Sequence, residues 1–246
     1  MSTIKTAIVT GSSSGIGRDV ARAFVQRGDN VVLNGRDAAK LAAVAEELGA
    51  PERTAVVVGD IGSPATGSAL VAAAVERFGG VDVLVNNAGT FAAKPFTEVT
   101  ADELTGYLDG NLKGTYFTTQ AVVRRLREQG AGGNIVNIGT VLVTHAIADV
   151  PASAPLASKG AIHALTTSLA AELAADRIRV NDVAPGFVRT PLLASANETV
   201  FGGYALLDRL GDVTETTAAV LYLADAEFVT GHILPVDGGF ISGRAA

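Results

Sequence analysis

The chain contains no cysteine and only three histidines, and 18% of its 246 residues are charged. The absence of cysteine excludes disulfides, thiolate catalysis, iron–sulfur clusters and zinc fingers. The three histidines, His145, His163 and His232, are scattered and lack the spacing of metal ligands, so we expect no metal site. Any redox chemistry must therefore come from a cofactor.

The chain also lacks a basic run and a long apolar run. Lys and Arg number 19 against 25 Asp and Glu, which gives a net charge of −6, so the expected partner is a small molecule rather than nucleic acid or an anionic membrane. No segment approaches the roughly 18 uncharged apolar residues of a membrane span, and the first residues run directly into a strand pattern without a signal-peptide cleavage region. We therefore expect a cytoplasmic protein. The length fits one compact domain over residues 1–246.

Short, largely β-branched apolar runs alternate with segments of helical spacing along the whole chain. The predicted strands are Ile4–Val9, Val31–Leu33, Ala55–Val58, Val81–Val85, Ile135–Ile138, Arg179–Val183 and His232–Val236. The predicted helices are Gly15–Arg27, Ala38–Leu48, Pro64–Phe78, about Ala101–Glu128, Ser158–Ala174 and Glu215–Ala224. This alternation predicts an α/β fold, a doubly wound parallel sheet of about seven strands, buried on both faces by helices. The pattern lapses at 141–157 and at 191–211, both of which follow strands at their carboxyl ends, where such sheets bind ligands.

A glycine-rich turn, TGSSSGIG at Thr10–Gly17, joins the first strand to the first helix. Gly11 permits a sharp turn, Gly15 permits close approach of a phosphate, and Gly17 permits close packing of helix and strand. The free N–H groups at the start of the helix then favour a pyrophosphate. The turn predicts a dinucleotide site, although the same sequence could form a tight turn without a ligand.

The second strand ends in VVLNGRD, where the adenosine ribose of a dinucleotide would lie. A carboxylate at this point binds the ribose 2′-hydroxyl, whereas a cation binds a 2′-phosphate. Asn34 and Gly35 supply no carboxylate, Arg36 follows directly, and Asp37 is better placed to cap the next helix. We therefore predict NADP(H) in preference to NAD(H), while noting that Arg36 could simply be a solvated surface cation and that Ser12–Ser14 add no basic residue.

Further motifs appear in order along the chain: VVVGDI, VDVLVNNAG, NLKGTYF, IVNIGT, ASKGAI, RVNDVAPGFVRTP and VTGHILPVDGGF. Together with TGSSSGIG they resemble the short-chain dehydrogenase/reductase family over essentially the whole chain. The resemblance implies a single-domain Rossmann-type fold that binds a nicotinamide cofactor. The cofactor-binding positions that it implies are Gly11, Ser13, Ser14, Gly15, Ile16, Gly17, Arg36, Asp60, Ile61, Asn87, Ala88, Gly89, Lys159, Pro185, Gly186, Val188 and Thr190. For Asn87, a role in pairing with neighbouring strand backbone is an equal alternative to cofactor contact.

The resemblance also implies catalytic residues, and here the sequence departs from the family pattern. The family uses Asn, Ser, Tyr and Lys, which correspond to Asn111, Thr140, Pro155 and Lys159, so Pro155 stands where the tyrosine is expected. Thr140 keeps a hydroxyl, and the segment from Thr140 to Pro155 is about two residues longer than usual. Pro155 cannot donate a proton, but it suits the first turn of a helix, so the fold and cofactor site should persist while the chemistry changes.

The four tyrosines of the chain include none between Tyr116 and Tyr204, so no shift in alignment restores the missing residue. Candidate substitutes are Lys159 acting through water or the ribose, His145 in the unusual loop, Ser153 and Ser158 beside the site, and Tyr204 in the predicted substrate-covering segment 191–211. A cationic substrate such as an iminium would need no proton.

Three functions remain open. The first is an oxidoreductase that transfers a hydride to or from a small carbonyl, alcohol or imine with a non-standard proton donor. The second is a catalytically silent NADP(H)-binding protein that acts as a sensor or oligomer partner, and the third is a lyase or isomerase on the same scaffold. The resemblance further implies a homotetramer or homodimer, with helices Asn111–Leu126 and Ser158–Leu173 as its main contact faces and the C-terminal VTGHILPVDGGF segment against a neighbouring subunit.

Overall fold

Seven parallel strands form one sheet in the order β3-β2-β1-β4-β5-β6-β7. The structure is a computed structural model that describes residues 4–194 and 197–243. The strands are β1 (Thr6–Val9), β2 (Asn30–Gly35), β3 (Thr54–Val58), β4 (Val83–Asn86), β5 (Gly133–Ile138), β6 (Ile178–Pro185) and β7 (Ile233–Val236). The strand order reverses direction between β1 and β4, which places a crevice at the carboxyl ends of these two strands. The predicted doubly wound parallel sheet is confirmed.

Helices cover both faces of the sheet. They are α1 (Gly15–Gln26), α2 (Ala38–Leu48), α3 (Pro64–Phe78), α4 (Ala101–Tyr107), α5 (Gly114–Gln129), α6 (Ser153–Glu172), α7 (Glu198–Gly202) and α8 (Val213–Asp225). Helices α1 and α8 pack together on one face, while α3 and α5 pack together on the other, where α6 lies against β6.

The core consists of one apolar layer on each face of the sheet. Phe24 of α1 and Val220 of α8 are fully buried in the first layer. Leu70 of α3 is fully buried in the second layer, together with Ile135 of β5. Because the central strands bury side chains on both faces, their sequences read as continuous apolar runs rather than as alternating ones.

Both edge strands depart from the prediction of complete burial: no residue of β7 is fully buried, and β3 is more exposed still. In β3, Val56 and Val58 are 43% and 51% exposed. The reason is its position at the edge of the sheet, where only one neighbour, β2, pairs with it. The prediction that this strand is buried on both faces was therefore wrong.

The long helix predicted over 101–128 is divided into three parts. Helix α4 ends at Tyr107, a π-helical segment runs over Leu108–Lys113, and α5 begins at Gly114. Thr100 and Glu103 form a capping box that fixes the start of α4. The π-helical segment turns the fully buried Asn111 inward.

Further deviations lie in and beside the two segments where the helix and strand pattern lapses, and several other predicted bounds differ by about two residues. Helix α6 begins at Ser153, five positions before the predicted start at Ser158, and it ends at Glu172. The segment 191–211 contains a short 3₁₀ turn, Pro191–Leu193, and the helix α7. Residues 195 and 196 lie outside the described part of this segment. None of the described helices has the length and apolar character that crossing a bilayer requires.

Candidate active site

The glycine-rich turn has the bare backbone that a phosphate needs. Gly11 and Gly15 have φ angles of +64° and +54°, a left-handed conformation that favours glycine. Within the described chain, the Ser14 side chain makes no capping hydrogen bond to α1, and the first turn of α1 carries no acidic residue. The first N–H groups of α1 are therefore left for an anion.

Close packing also explains why glycine occupies two positions of the turn. A Cβ on Gly11 would lie 2.7 Å from Cα of Ala88, and one on Gly17 would lie 2.5 Å from the Gly11 carbonyl oxygen and would also meet the Asn87 amide. The Asn87 Nδ2 donates to the carbonyl oxygens of Thr10 at 3.0 Å and Gly11 at 3.1 Å. Its amide group thus fixes the shape of the turn. These residues form a cradle without side chains, which fits the pyrophosphate of a dinucleotide.

At the end of β2, Gly35 leaves space next to an exposed cation, Arg36. Asn34 is 1% exposed, and its Nδ2 donates to the carbonyl oxygens of Val57 and Gly59, so it faces inward. A Cβ on Gly35 would lie 3.3 Å from Oγ of Ser13. Arg36 is the first exposed residue after the strand. The Ser13 side chain therefore lies against Gly35, and the exposed Arg36 follows directly in the chain.

The two residues predicted beside the adenine differ in their environments. Asp60 is exposed, and its Oδ1 accepts from the Gly62 N–H at 2.9 Å. Ile61 is buried with its side chain turned toward α5, because a Cβ on Gly114 would lie 2.5 Å from Ile61 Cδ1. The Ile61 side chain thus fixes this loop against α5. Only its backbone groups remain for contact with a ligand.

The predicted nicotinamide end is built from the residues that follow β6. Pro185 ends β6, and the N–H of Gly186 donates to the Val236 carbonyl at 3.0 Å, which continues the pairing with β7. Val188 is buried and forms a bridge with Gly211. Thr190 returns to the glycine-rich turn, since a Cβ on Gly15 would lie 3.5 Å from its methyl group. The sequence-predicted residues of both cofactor halves therefore meet at one crevice.

Asn111 joins three elements beside this crevice. Its Oδ1 accepts from the Thr90 N–H at 2.8 Å, and its Nδ2 donates to the Thr90 carbonyl at 3.1 Å and to the Ser158 Oγ at 2.9 Å. The Ser158 hydroxyl donates in turn to the Pro155 carbonyl at 2.8 Å. This buried network ties the π-helical segment to the start of α6, so the Ser158 hydroxyl is a structural group here rather than an activated one.

Lys159 lies one turn after Pro155 on α6, with its ammonium near Asn111. The Nζ donates to the Ile138 carbonyl at 2.5 Å, and a Cβ on Gly89 would lie 3.4 Å from this Nζ and 2.9 Å from Asn111 Oδ1. Lys159 is 8% exposed, and burial lowers the pKa of its ammonium, an effect that the charge of Asp182 opposes. A lysine in this environment gives up a proton more readily than one in water.

Pro155 and Thr140 complete the predicted catalytic set. Pro155 is buried in the first turn of α6, where its missing N–H leaves no hydrogen bond unmade. The Thr140 Oγ1 donates to the Pro185 carbonyl at 3.5 Å and accepts from the Leu142 N–H at 3.3 Å. Thr140 thus lies where β5 and β6 end, beside the nicotinamide end of the crevice.

The other candidate proton donors take different positions. Ser153 is exposed at the start of α6, and His145 is exposed with its ring 5.0 Å from the Phe240 ring. Tyr204 packs in an aromatic cluster, with its ring 5.8 Å from Phe187 and 6.3 Å from Phe240. Tyr204 therefore has the packing of a hydrophobic residue, in the segment predicted to cover the substrate.

Two buried ionisable residues near Lys159 were not among the predicted site residues. Asp182 on β6 is fully buried, and its Oδ1 lies 3.7 Å from Nε2 of His163 on α6. The sequence carried one signal, a carboxylate inside an otherwise buried strand, RVNDVAP. No group of three or more His, Asp or Glu side chains in the described residues is arranged to hold a metal ion.

Comparison with known proteins gives consistent matches over nearly the full length. A family model described as enoyl-(acyl carrier protein) reductase matches residues 11–241. Galactitol 2-dehydrogenase (L-tagatose-forming) of Cereibacter sphaeroides is 38% identical over 241 residues, which cover 95% of this chain and 94% of the relative. L-rhamnose 1-dehydrogenase (NAD(P)(+)) of Azotobacter vinelandii is 38% identical over 247 residues and covers 96% of each chain.

A solved structure shares the fold closely. The crystal structure of a short-chain type dehydrogenase/reductase from Mycobacterium marinum superposes with a TM-score of 0.93 at 31% identity, covering 97% of this chain and 96% of that one.

Proposed function

Because the chain belongs to the short-chain dehydrogenase/reductase family, we propose that it is an NADP(H)-dependent oxidoreductase acting on a small carbonyl, alcohol or imine. The observation that carries this proposal is the position of the Lys159 ammonium, which is buried beside Gly89 and Asn111 at the crevice formed by the glycine-rich turn.

The residues of the crevice have separate roles in the proposed reaction. The backbone of the glycine-rich turn and the start of α1 hold the pyrophosphate, while Pro185–Thr190 hold the nicotinamide. When bound, NADP(H) supplies or accepts the hydride. The Thr140 hydroxyl orients the substrate oxygen, and the Asn111 network fixes the start of α6 and thereby Lys159.

Pro155 replaces the family tyrosine in this proposal, so the proton must come from another group. Lys159 is the donor that the geometry favours, because its ammonium is buried at the site and burial lowers its pKa. A protonated Lys159 can give a proton to a developing alkoxide, and a neutral Lys159 can take one from an alcohol. His145 and Ser153 are exposed and Tyr204 is packed among aromatic rings, which makes them weaker candidates.

The preference for NADP(H) rests on Gly35, Ser13 and Arg36. We expect Arg36→Ala to weaken NADPH binding about 10- to 100-fold, because a charge-assisted hydrogen bond to the 2′-phosphate is lost, and to leave NADH binding unchanged. Titration of both cofactors by fluorescence measures this. Lys40→Ala, an exposed cation on the next helix, is the matched control. Equal losses for the two cofactors would show that Arg36 does not recognise the 2′-phosphate.

The proposed activity is tested by hydride transfer itself. NADPH deuterated at the nicotinamide C4 is incubated with a panel of ketones, imines and sugars, and deuterium in the products is measured by mass spectrometry. We expect incorporation with at least one panel member and its loss in Lys159→Met, which keeps the length of the side chain without its charge.

Pro155 has no proton to donate, and this observation favours a second function, that of a catalytically silent cofactor-binding protein. If NADPH binds tightly but no panel member receives deuterium, the protein is instead a silent cofactor-binding sensor or oligomer partner. The measurement therefore separates the two functions directly.

We also propose that the protein assembles as a homodimer or homotetramer through α5 and α6. The support is an apolar groove between these helices, which a second copy of the chain could cover. One of its lining residues, Tyr116, is exposed. Its lining residues are Leu112, Lys113, Tyr116, Phe117, Ala161, Ala164, Leu165 and Ser168.

A further inference from the structure

A buried pair of ionisable side chains lies behind Lys159, on the side of the sheet that α6 covers. Asp182 of β6 has 0% exposure, and His163 of α6 has 7%. Within the described residues, neither oxygen of Asp182 nor the Nε2 of His163 has a hydrogen-bond partner, and 3.7 Å separates Asp182 Oδ1 from His163 Nε2. Buried polar atoms without partners are uncommon, so this pair calls for a functional explanation.

Gly139, which directly follows β5, leaves space for the pair because it has no side chain. A Cβ on Gly139 would lie 2.5 Å from both Asp182 Oδ1 and His163 Nε2, so any other residue would displace one of them. The preceding residue, Ile138, accepts the hydrogen bond from Lys159 Nζ at 2.5 Å. The Asp182 carboxyl therefore packs against Gly139, and the Lys159 ammonium bonds to the preceding residue, Ile138, at the end of β5.

Few other groups can influence the Asp182 carboxyl. Helix α6 contributes Lys159 and His163. Asn137 of β5 and Gly139, which directly follows β5, carry no titratable side chain. On the side of β7, the Asp182 N–H donates to the His232 backbone carbonyl at 2.8 Å. The protonation of Asp182 is therefore governed mainly by its burial, which the charge of Lys159 opposes.

Burial brings the proton affinities of these groups together. It raises the pKa of Asp182 to about 8, although the charge of Lys159 opposes the rise. It also lowers the pKa of Lys159 and of His163, and the charge of Lys159 lowers that of His163 further. These opposite shifts reduce the free-energy difference for moving a proton between the Asp182 carboxyl and the Lys159 amine.

We propose that Asp182, which lies beside His163, is the proton store that recharges Lys159 during substrate reduction. This proposal rests on the proposed oxidoreductase function and makes Asp182 and His163 positioning residues, since they act through Lys159.

The proposed step balances as follows. As the carbonyl carbon accepts a hydride, the electron pair of the C=O π bond moves to oxygen. An N–H bond of Lys159 breaks, its proton forms the O–H bond of the alcohol, and a neutral amine is left. The amine then takes the Asp182 carboxyl proton, which leaves a carboxylate beside a restored ammonium. A solvent proton reprotonates the carboxyl, so each turnover consumes one hydride and one proton.

Asp182→Asn removes the titrating group and nearly preserves its shape. We expect kcat for reduction to fall about 100-fold, the lower end of what a positioned acid contributes. We also expect the decline of kcat at alkaline pH to begin at lower pH, because Lys159 loses the neighbouring charge that supports its protonated form. The Kd for NADPH should change less than about twofold. Asp102→Asn, an exposed carboxylate on α4, is the matched control.

Two further variants keep the test decisive if Asp182→Asn does not fold. Gly139→Ala leaves all three ionisable groups in the chain but displaces the carboxyl or the imidazole, and His163→Gln removes the imidazole alone. Both should lower kcat and shift the alkaline limb, whereas His145→Gln, which replaces an exposed loop histidine, should do neither.

The proton store can also be tested without catalysis, by measuring the histidine NMR signals of the cofactor-free protein. With only three histidines, the signals can be assigned from His163→Gln and His145→Gln. We expect the His163 ring signals to show an inflection near pH 8 that reports Asp182, and we expect this inflection to vanish in Asp182→Asn.

The possible outcomes separate the two proposals. The proton store would be overturned if Asp182→Asn kept the wild-type kcat and pH profile. It would also be overturned if the inflection of the His163 signal were the same in the wild type and in Asp182→Asn. Either result would leave the oxidoreductase function unaffected. A wild-type protein that transfers no hydride to any panel member would overturn the oxidoreductase function and the proton store with it.

Discussion

Pro155 and Lys159 lie four residues apart on α6, and the proposed chemistry depends on this pair. The prediction that proline is tolerated there is confirmed, because α6 begins at Ser153 and Pro155 falls in its first turn. The residue is buried, so a side chain at this position faces the protein rather than solvent.

We expect Pro155→Tyr to raise kcat/KM for ketone reduction by about 100-fold or more, because a tyrosine hydroxyl one helical turn from Lys159 supplies a general acid. Steady-state reduction of the deuterium panel measures the gain. Pro155→Ala is the matched control, since it removes the proline ring without adding a donor. If the tyrosine variant is no faster than the alanine variant, Pro155 does not occupy the position of the missing acid.

The raised pKa of Asp182 predicts a pH-dependent stability difference. The folded protein holds this proton up to about pH 8, whereas the ordinary pKa of the carboxyl is 3.8. The associated stability is therefore complete below pH 3.8 and is lost as the pH rises through about 8. Relative to the wild type, Asp182→Asn should gain about 2–4 kcal/mol in free energy of unfolding between pH 5 and pH 8.5. Urea unfolding at several pH values measures this, and a constant difference would contradict the raised pKa.

The sequence predicted local features of the site better than contacts between distant segments. The conformation of the glycine-rich turn could be predicted from the sequence because it follows from neighbouring residues, whereas the role of Arg36 stays a prediction. The pairing of Asp182 with His163 could not, because it depends on the packing of α6 against β6 and on the space left by Gly139. For Asn87, which had two possible roles, the observed bonds to Thr10 and Gly11 are those of a structural amide.

At the scale of elements, α2 and α3 agree with the predicted bounds, while the helix predicted over 101–128 does not. Apolar spacing alone cannot distinguish a continuous helix from one with a π-helical segment, because the segment shifts the spacing by only a fraction of a turn. The interruption places Asn111 in its buried network with Thr90 and Ser158, so tertiary hydrogen bonds determine it.

The contact of α1 with the glycine-rich turn predicts the effect of a single methyl group. Gly17→Ala should destabilise the protein by about 1–3 kcal/mol through overpacking against Gly11 and Asn87, and should weaken NADPH binding by moving the start of α1. Urea unfolding and fluorescence titration measure these changes. Gly106→Ala is the matched control, because its Cβ would meet no atom within 4 Å and should stabilise α4 by about 0.5–1 kcal/mol. Similar effects of the two variants would contradict the close packing at Gly17.

At the scale of the whole molecule, the alternation of strands and helices predicted the sheet because parallel strands require crossover helices. The sequence did not reveal which strands lie at the edges. Exposure of Val56 and Val58 depends on β3 having one neighbour, which is a property of the strand order.

The proposed assembly through α5 and α6 predicts a change in mass. Ala164→Arg places a long charged side chain in the groove and should convert the oligomer to monomers while leaving the fold intact, because Ala164 is exposed in the single chain. Light scattering after size-exclusion chromatography measures this. Ala42→Arg, at an exposed position on α2, is the matched control. An oligomer that survives Ala164→Arg would place the interface elsewhere.

The vacant side-chain position at Gly139 restricts the order in which this chain could have changed during its evolution. A larger residue there is incompatible with Asp182 and His163 in their present positions, since its Cβ would lie 2.5 Å from both. Replacing Gly139 therefore displaces a buried group while Asp182 is present, and it is easier when β6 carries no carboxylate at this position. The two positions are linked by epistasis, so a substitution that is harmful in one background is permitted in the other.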